Sequence, residues 1–509
     1  MIARTRGSIV LLGLLALLGA AVCAPSAGAA DRIYWAGFDS GTIQWANLDG
    51  SGGIHELNPG AATISPEGYG LGGAIDPVQG RFYWANQQQG KINWASLDGS
   101  GGDDLPTGSA TVNGPSGISV DPVGRRVYWA NSFGSSISFA NLDGSGGGDL
   151  DTGTASVESP IATTVFPASG RVYWTNFGNF PSRGSIASAN LAGGGGQTLT
   201  PTGSGTVEYP FGLAIDAAAG RLYWANDNPG TISTAALDGG NSSDIDRRGL
   251  EMSGTYGVAF DPESGRVYTA LFAGNALAFL NVNGGGGMEL PIDLPKESGP
   301  NLPVLYLEPR PTSAPTVTSR GPLVPKRKRK GGPPPLPKLV GSRLTCQSGG
   351  WKPDLVEARV YRAPTSIAFS WTKDGVDIPG AAEEMLRAGE VGNYRCRVSA
   401  INVAGSTAQA SGSVAIFAAG KAKLNKKKGT AKLTVQLPAE KGKLRLAAKG
   451  FRAVARTASG KAAVLVRPKG AKRKRLARRG KLKAVVRLTY TPPDGPPATL
   501  RRRITLKHD

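Results

Sequence analysis

The sequence predicts an all-β chain: a six-bladed β-propeller, then a small disulfide-bridged β-sandwich, then a compact β-rich domain with a cationic surface. Three observations carry this. A short Arg-x-Tyr phrase recurs six times. A Cys…Trp…Cys spacing follows it. In residues 420–509, Lys or Arg alternates with Val, Leu or Ile. Glycine is abundant, at 73 of 509 residues, and charged residues make up 19%, which suits turn-rich strands better than helices.

The chain opens with Arg4 and Arg6, an apolar run from Ile9 to Val22, and Ala27-Gly28-Ala29. A charged start, a short apolar stretch and small residues at a cleavage site describe a secretory signal, so residues 1–30 are excluded from the fold. Lipidation at Cys23 is an alternative, against which stand Ala20 and Val22 at the positions where a lipobox wants Leu and a small residue. No second apolar run offers a transmembrane anchor.

The repeat occupies residues 31–309. Its copies read RIYWAG from Arg32, RFYWAN from Arg81, RVYWAN from Arg126, RVYWTN from Arg171, RLYWAN from Arg221 and RVYTAL from Arg266. One whole unit, Gly212 to Gly240, has an apolar run closed by Asp216, a turn, the aromatic strand from Arg221, and a third strand ending at Asp238-Gly239. With a short fourth strand this makes four antiparallel strands in about 45 residues, the size of a propeller blade. One blade cannot bury both faces of its sheet, but six packed radially can. The recurrent Tyr and Trp are therefore expected between blades. The first copy lacks an inner strand, and "VLYLEP" (Val304 to Pro309) matches "GVAFDP" at Gly257. The last blade is thus expected to take its inner strand from the C-terminal end and three strands from the N-terminal end.

The pattern "GLAID…GRLYWAN…LDG" resembles the YWTD repeats of the low-density-lipoprotein-receptor family, with kinship to NHL propellers. The resemblance covers about 280 residues and implies the six-bladed fold. It does not extend to the receptor role: the final Asp of YWTD is Asn at 86, 131, 176 and 226 and Gly at 37, and the cysteine-rich modules that flank receptor propellers are missing.

Residues 310–337 contain KRKRK and PPPLP and read as an extended basic linker. Residues 338–419 follow with Cys346, Trp371 and Cys396, and with Tyr394 two before the second cysteine. This is the pattern of an immunoglobulin-like sandwich with a tyrosine corner, and it resembles the Ig-like repeats of bacterial surface proteins. Cys346 and Cys396 are the two cysteines left after the signal, so one disulfide is expected. Its reduction is expected to weaken this module alone, because the propeller has no cysteine.

Charge is unevenly spread. Residues 31–309 hold 12 Lys and Arg against 27 Asp and Glu, a balance of −15; residues 420–509 hold 28 against 3, a balance of +25. An acidic body carries a basic tail. The tail's alternation predicts half-buried strands with cationic outer faces. Its clusters are Lys426, Lys427 and Lys428; Lys472, Arg473, Lys474 and Arg475; and Arg501, Arg502 and Arg503. Such a surface suits a polyanion. The tail has only Phe451 and Tyr490 as aromatics, too few for base stacking. With the signal, this points to an anionic cell-envelope polymer rather than specific nucleic acid. Docking of the tail on the acidic propeller is the alternative.

Catalytic patterns are sparse. Of the mature chain's two histidines, His55 falls on an expected outer strand and His508 near the end; no HExxH, paired-cysteine metal site or P-loop is present. The periodic carboxylates divide into two classes. Asp76, Asp121, Asp216 and Asp261 close inner strands, and Asp49, Asp98, Asp143 and Asp238 sit in "LDG", both read as turn formers. Residues that break the repeat are the binding candidates. They are Leu71, Ser116, Ile161, Phe211, Tyr256 and Pro303 just before the inner strands, and Gln87 to Gln89, Phe133, Phe177 to Arg183 and Asp227 to Pro229 after the motif. Both sets are expected at one mouth of the channel, where loops on a rigid scaffold bind ligands. The sequence thus reads as a secreted or cell-surface binding protein without cofactor, whose propeller takes an unidentified protein or glycan. The alternative is a propeller hydrolase or lyase. Resemblance to gluconolactonase-like propellers would imply a channel metal held by residues such as Glu158, Glu208, Asn226 and Asp227.

Overall fold

The computed structural model describes residues 30–38, 40–63, 70–178, 181–296, 298–321 and 339–509. The signal segment and most of the Pro-rich basic stretch lie outside the described residues. Five four-stranded antiparallel sheets, the strands of each in chain order from the channel outward, and a sixth sheet built from both ends of the span form the propeller. In one blade these are Pro210–Asp216, Arg221–Asn226, Thr231–Ala236 and Ser243–Asp244. Its register pairs Asp216 with Arg221 and Leu213 with Trp224.

Each recurrent residue has a packing reason. The motif tyrosines are buried between blades: Tyr34 stacks on Phe82 and Tyr223 on Phe260 of the following blade. The motif arginine lies over an aromatic ring of the third strand, as Arg81 does over Trp94 at 3.5 Å and Arg266 over Phe279 at 4.0 Å. Where that strand offers a hydroxyl instead, the guanidinium donates to it: Arg171 to Ser188 at 2.7 Å and Arg221 to Thr234 at 3.0 Å. Asn replaces the motif Asp because the position must both accept and donate. Asn226 Oδ1 accepts from the Glu208 and Trp224 N–H groups, while Nδ2 donates to Thr231 and Ser233. Neighbouring blades are clasped at the rim, where Asp104, Asp149 and Asp244 accept from both the N–H and the hydroxyl of Thr63, Thr111 and Thr206. The two periodic Asp classes do form turns. Asp98 accepts from Ser100 N and Asp121 from Val123 N, as their counterparts do.

The ring closes from both ends: Pro300–Tyr306 is the inner strand against Arg32–Gly37. The register corrects the sequence alignment by two residues. Arg32 pairs with Tyr306, as Arg266 does with Asp261, so Tyr306 takes the Asp position and Asn301, not Pro303, takes the mouth position. Leu302 then occupies a site that is Gly or Ala in every other blade. Its side chain lies against Gly72, Gly212 and Gly257 near the channel axis, where small residues from the other blades leave room for one large one.

Residues 310–320, assigned to the linker by composition, are instead strands. Pro311–Ser313 pairs with Gly350–Trp351, and Thr316–Arg320 with Arg343–Gln347. Tertiary pairing overrides the local Pro and Arg content. The second module has two sheets joined by the Cys346–Cys396 disulfide. Trp371 is buried beside it, and Tyr394 Oη donates to Glu390 O at 3.1 Å. The C-terminal domain packs a three-stranded sheet on a four-stranded one around a shared core. It also has one helix, Gly470–Arg479, anchored by buried Leu476 and ended by Gly480 at φ 62°. Among the described residues no helix is long and apolar enough to cross a membrane.

Glu263 ties the propeller to the second module. Its carboxylate accepts from Arg310 at 2.9 Å, Lys352 at 2.7 Å and Arg362 at 3.1 Å. Burial alone would raise its pKa, but the bonds from Lys352 and Arg310 outweigh burial and hold it below the usual range. A depressed carboxyl contributes stability that is full above its unfolded pKa and is lost as pH falls through its folded one. Glu263→Gln is therefore expected to be less stable than wild type at pH 7, with the gap closing as pH falls below about 4. Thermal melts of both proteins across that range test it, and a gap undiminished at low pH would refute it.

Candidate functional site

The two mouths of the propeller channel are built differently. At the end where the Asp residues close the inner strands, the second module sends residues 355–362 into the channel. The segment makes a 3-10 turn at Val356–Ala358, passes through Arg359 at φ 58°, and adds Val360–Tyr361 as a short strand parallel to Pro300–Tyr306. Inner strands face the channel with an unpaired edge, whose carbonyls need donors once water is excluded. The Arg359 guanidinium supplies them, donating to Gly73 O at 2.7 Å and to Ile118 O and Thr163 O at 3.1 Å, on three successive blades. Ile75 N donates to Tyr361 Oη at 3.3 Å. Burial lowers Arg359 to about 10, which leaves it charged at neutral pH. Burial likewise pushes the Asp354 and Glu357 carboxyls up, Asp354 despite accepting from Arg362 N and Ala363 N. This plug was not anticipated from the sequence; it lies inside the span assigned wholly to the sandwich.

At the opposite mouth the starts of the inner strands meet the loops that follow the motif. Phe211 and Tyr256 stack at 4.3 Å and 3°. Phe272 continues the stack on Tyr256 at 4.6 Å, and Phe38 meets Phe272 edge-on at 5.3 Å. On the other side Phe177 meets Phe211 edge-on and packs on Tyr209 at 5.0 Å. The result is a continuous aromatic ladder along part of the rim. Burial raises the Asp227 carboxyl; burial and the nearby Asp227 charge raise Tyr256 to about 12. Arg183 pairs with Glu208 at 3.0 Å on the same rim.

Of the sequence candidates, Phe177, Phe211, Tyr256 and Asp227 come together. Ser116 and Ile161 lie further round the ring; Ser116 is fully buried. Leu71 lies on the strand Gly70–Asp76, but its side chain is outside the described residues. Phe133 stands exposed over Gly114. Sequence reasoning missed Phe38, Phe272 and Tyr209. Phe38 and Phe272 directly follow the six-residue motif, as Phe177 and Asp227 do, and that shared position was the available signal. Ser116 Oγ, Thr255 Oγ1 and both amide atoms of Asn301 are buried without a hydrogen-bond partner at this end of the inner strands.

The residues named for a channel metal do not assemble. Asn226 is spent within its blade and Glu208 on Arg183. Among the described residues no group of three or more His, Cys, Asp or Glu side chains converges. His55 stacks on Trp45 at 4.1 Å on the outermost strand.

The C-terminal cations are displayed on separate parts of one domain. Lys426, Lys427 and Lys428 sit at the turn before Thr430–Gln436, Lys472 to Arg475 on the helix, and Arg501 to Arg503 on the strand Ala498–Lys507. Arg501 and Arg503 are exposed, whereas Arg502 turns partly inward. Among the described residues no ion pair joins this domain to the propeller. Glu440 and Asp494 pair with Arg395 of the second module, and Asp509 with Lys426.

No family model matches the chain, and no curated protein does. Among solved structures, a nidogen/laminin complex is similar over 54% of this chain and 98% of that one, with 19% identity and a TM-score of 0.45. Hydrazine synthase from Kuenenia stuttgartiensis is similar over 49% of this chain and 76% of that one, at 12% identity and a TM-score of 0.36.

Proposed function

We propose that this is a secreted or cell-surface-associated binding protein without enzymatic activity. Its YWTD/NHL-like propeller takes a protein or glycan ligand, an Ig-like module braces the ring, and the basic domain holds the molecule on an anionic envelope polymer. The observation that carries the reading is the asymmetry of the channel. The chain's own Arg359 segment fills one mouth, while the other carries the aromatic ladder and the unpaired polar atoms. Aromatic side chains offer large, rigid contact area at low entropic cost, and buried polar groups without partners are satisfied when a ligand brings them.

The test uses the full-length protein and a Phe211→Ala/Tyr256→Ala/Phe272→Ala variant on glycan and peptide arrays. The reading expects a ligand bound by wild type and lost at least tenfold in the variant, about 1.4 kcal/mol or more. A stoichiometric divalent metal with turnover of a lactone or ester would replace it with the hydrolase reading. Retention on purified envelopes is expected to fall steeply as salt rises from about 50 to 200 mM.

A further inference from the structure

The outer face of one sheet in the C-terminal domain concentrates charge in a way that folding alone does not favour. In Lys481–Thr491 and Ala498–Lys507 the buried positions are Leu482, Val486, Leu488, Tyr490, Leu500, Ile504 and Leu506. The exposed ones include Lys481, Lys483, Arg487, Arg501, Arg503 and Lys507. Register places like charges directly opposite each other: Lys481 faces Lys507, and Arg487 faces Arg501. Such pairs are destabilising. The neighbouring strand Gly442–Ala447 adds exposed Lys443 and Arg445 to the sheet.

No carboxylate of the domain relieves this face. Residues 420–509 contain three acidic side chains; two are drawn away to Arg395 at the second module, and Asp509 reaches Lys426. The face runs into a groove of about 620 Å³ lined by Lys449, Lys469, Arg487, Arg501 and Phe451.

We propose that this sheet face is the binding surface for a linear, base-free phosphodiester polymer of the cell envelope. The proposal rests on the reading of the basic domain as the polyanion-holding module, and it names the surface and the chemistry. Outward positions along a strand recur about every 6.8 Å, two residues of rise. Cations fill three of four such positions on each strand, Lys481, Lys483 and Arg487 around Val485 and Arg501, Arg503 and Lys507 around Thr505, so an extended polyanion lying along the face meets a cation at most steps. Arginine dominates the centre, at 487, 501 and 503, and its planar fork suits phosphate oxygens. Bases find no platform here, since Tyr490 is fully buried and Phe451 is 4% exposed, and nonspecific single-strand binding needs exposed rings.

The experiment measures binding of inorganic polyphosphate to full-length protein at about 150 mM salt, where screening limits each cation's reach to about 8 Å. Lys483→Gln/Arg487→Gln/Arg501→Gln/Arg503→Gln is compared with a helix variant that removes the same charge, Lys474→Gln/Arg475→Gln/Arg478→Gln/Arg479→Gln. The face variant is expected to weaken binding about tenfold or more and to flatten the salt dependence, as loss of phosphate contacts does. The helix variant is expected to stay within about threefold. The face variant is also expected to melt higher than wild type at low salt, because the opposed Arg487–Arg501 pair is gone; this separates lost binding from lost folding.

Equal losses in both variants would overturn the face while leaving polyanion retention standing. No polyphosphate binding by wild type would overturn both. A single-stranded oligonucleotide of matched phosphate number, held more tightly than polyphosphate, would overturn the base-free assignment.

Discussion

Arg359→Met is expected to lower the stability of the propeller by about 3 kcal/mol, at roughly 1 kcal/mol for each of three buried carbonyls left without a donor. Met keeps most of the volume and of the apolar stem, so the cavity contribution is small. What is lost is the donor set: the carbonyls of Gly73, Ile118 and Thr163 each lose their bond to the guanidinium. A buried acceptor without its donor costs about 1–3 kcal/mol. Arg359→Lys is expected to recover part of the loss, since an ammonium keeps the charge but cannot spread donors over three blades from a planar fork. The left-handed backbone at this position, φ 58°, strains Arg, Met and Lys alike, so the comparison isolates the head group. Denaturant unfolding followed by the buried tryptophans of the blades, Trp35, Trp129, Trp174 and Trp224 among them, reads the effect. A midpoint unchanged in Arg359→Met would mean that the plug is an ornament and not part of the ring's stability.

The blades were legible because one register repeats. Arg and Tyr of the motif recur at fixed offsets in all six copies and Trp in five, and in each copy Arg meets the third strand of its own blade, so local pattern and global packing agree. The closing strand was legible in kind but not in register. "VLYLEP" looks like "GVAFDP" by composition, yet its hydrogen bonds put Tyr306 where four other blades have Asp and one has Phe166. Leu302 decides the outcome, because a single bulky residue fits among the small ones at the axis.

The plug was not legible. "DLVEARVYRAP" has neither helical nor strand period, and it lies between a cysteine and a tryptophan whose spacing already suggested a sandwich. Its reason for existing is the unpaired inner edge of another domain, and no local window of sequence contains that edge. At the binding mouth the rule that residues breaking the repeat are the informative ones found Phe177, Phe211, Tyr256 and Asp227. It missed Phe38 and Phe272, because the loops after the first and last motif copies were not compared with the others.

Removal of the disulfide, by Cys346→Ala/Cys396→Ala or by reduction, is expected to cost about 4 kcal/mol, the chain-entropy value for a loop of about 50 residues. The sequence reading confined this loss to the second module. The structure gives a different expectation, because the loop closed by Cys346 and Cys396, 50 residues apart, contains the whole plug from Leu355 to Arg362. The bridge fixes both ends of the segment whose middle enters the propeller. Val360 and Tyr361 are hydrogen-bonded to the inner strand of the closing blade, and Arg359 to three others. Releasing the bridge enlarges the set of conformations open to that segment in the undocked state, and so weakens docking by mass action as well as weakening the sandwich. The two domains are then expected to lose stability together. In a melt that follows both Trp371, packed beside the bridge, and amide exchange at Ile75, whose N–H is held by Tyr361, both signals should move to lower temperature in the disulfide-free protein. If exchange at Ile75 stays at its wild-type rate while the sandwich alone melts early, the plug is held by the channel without help from the bridge, and the coupling between the two domains is refuted.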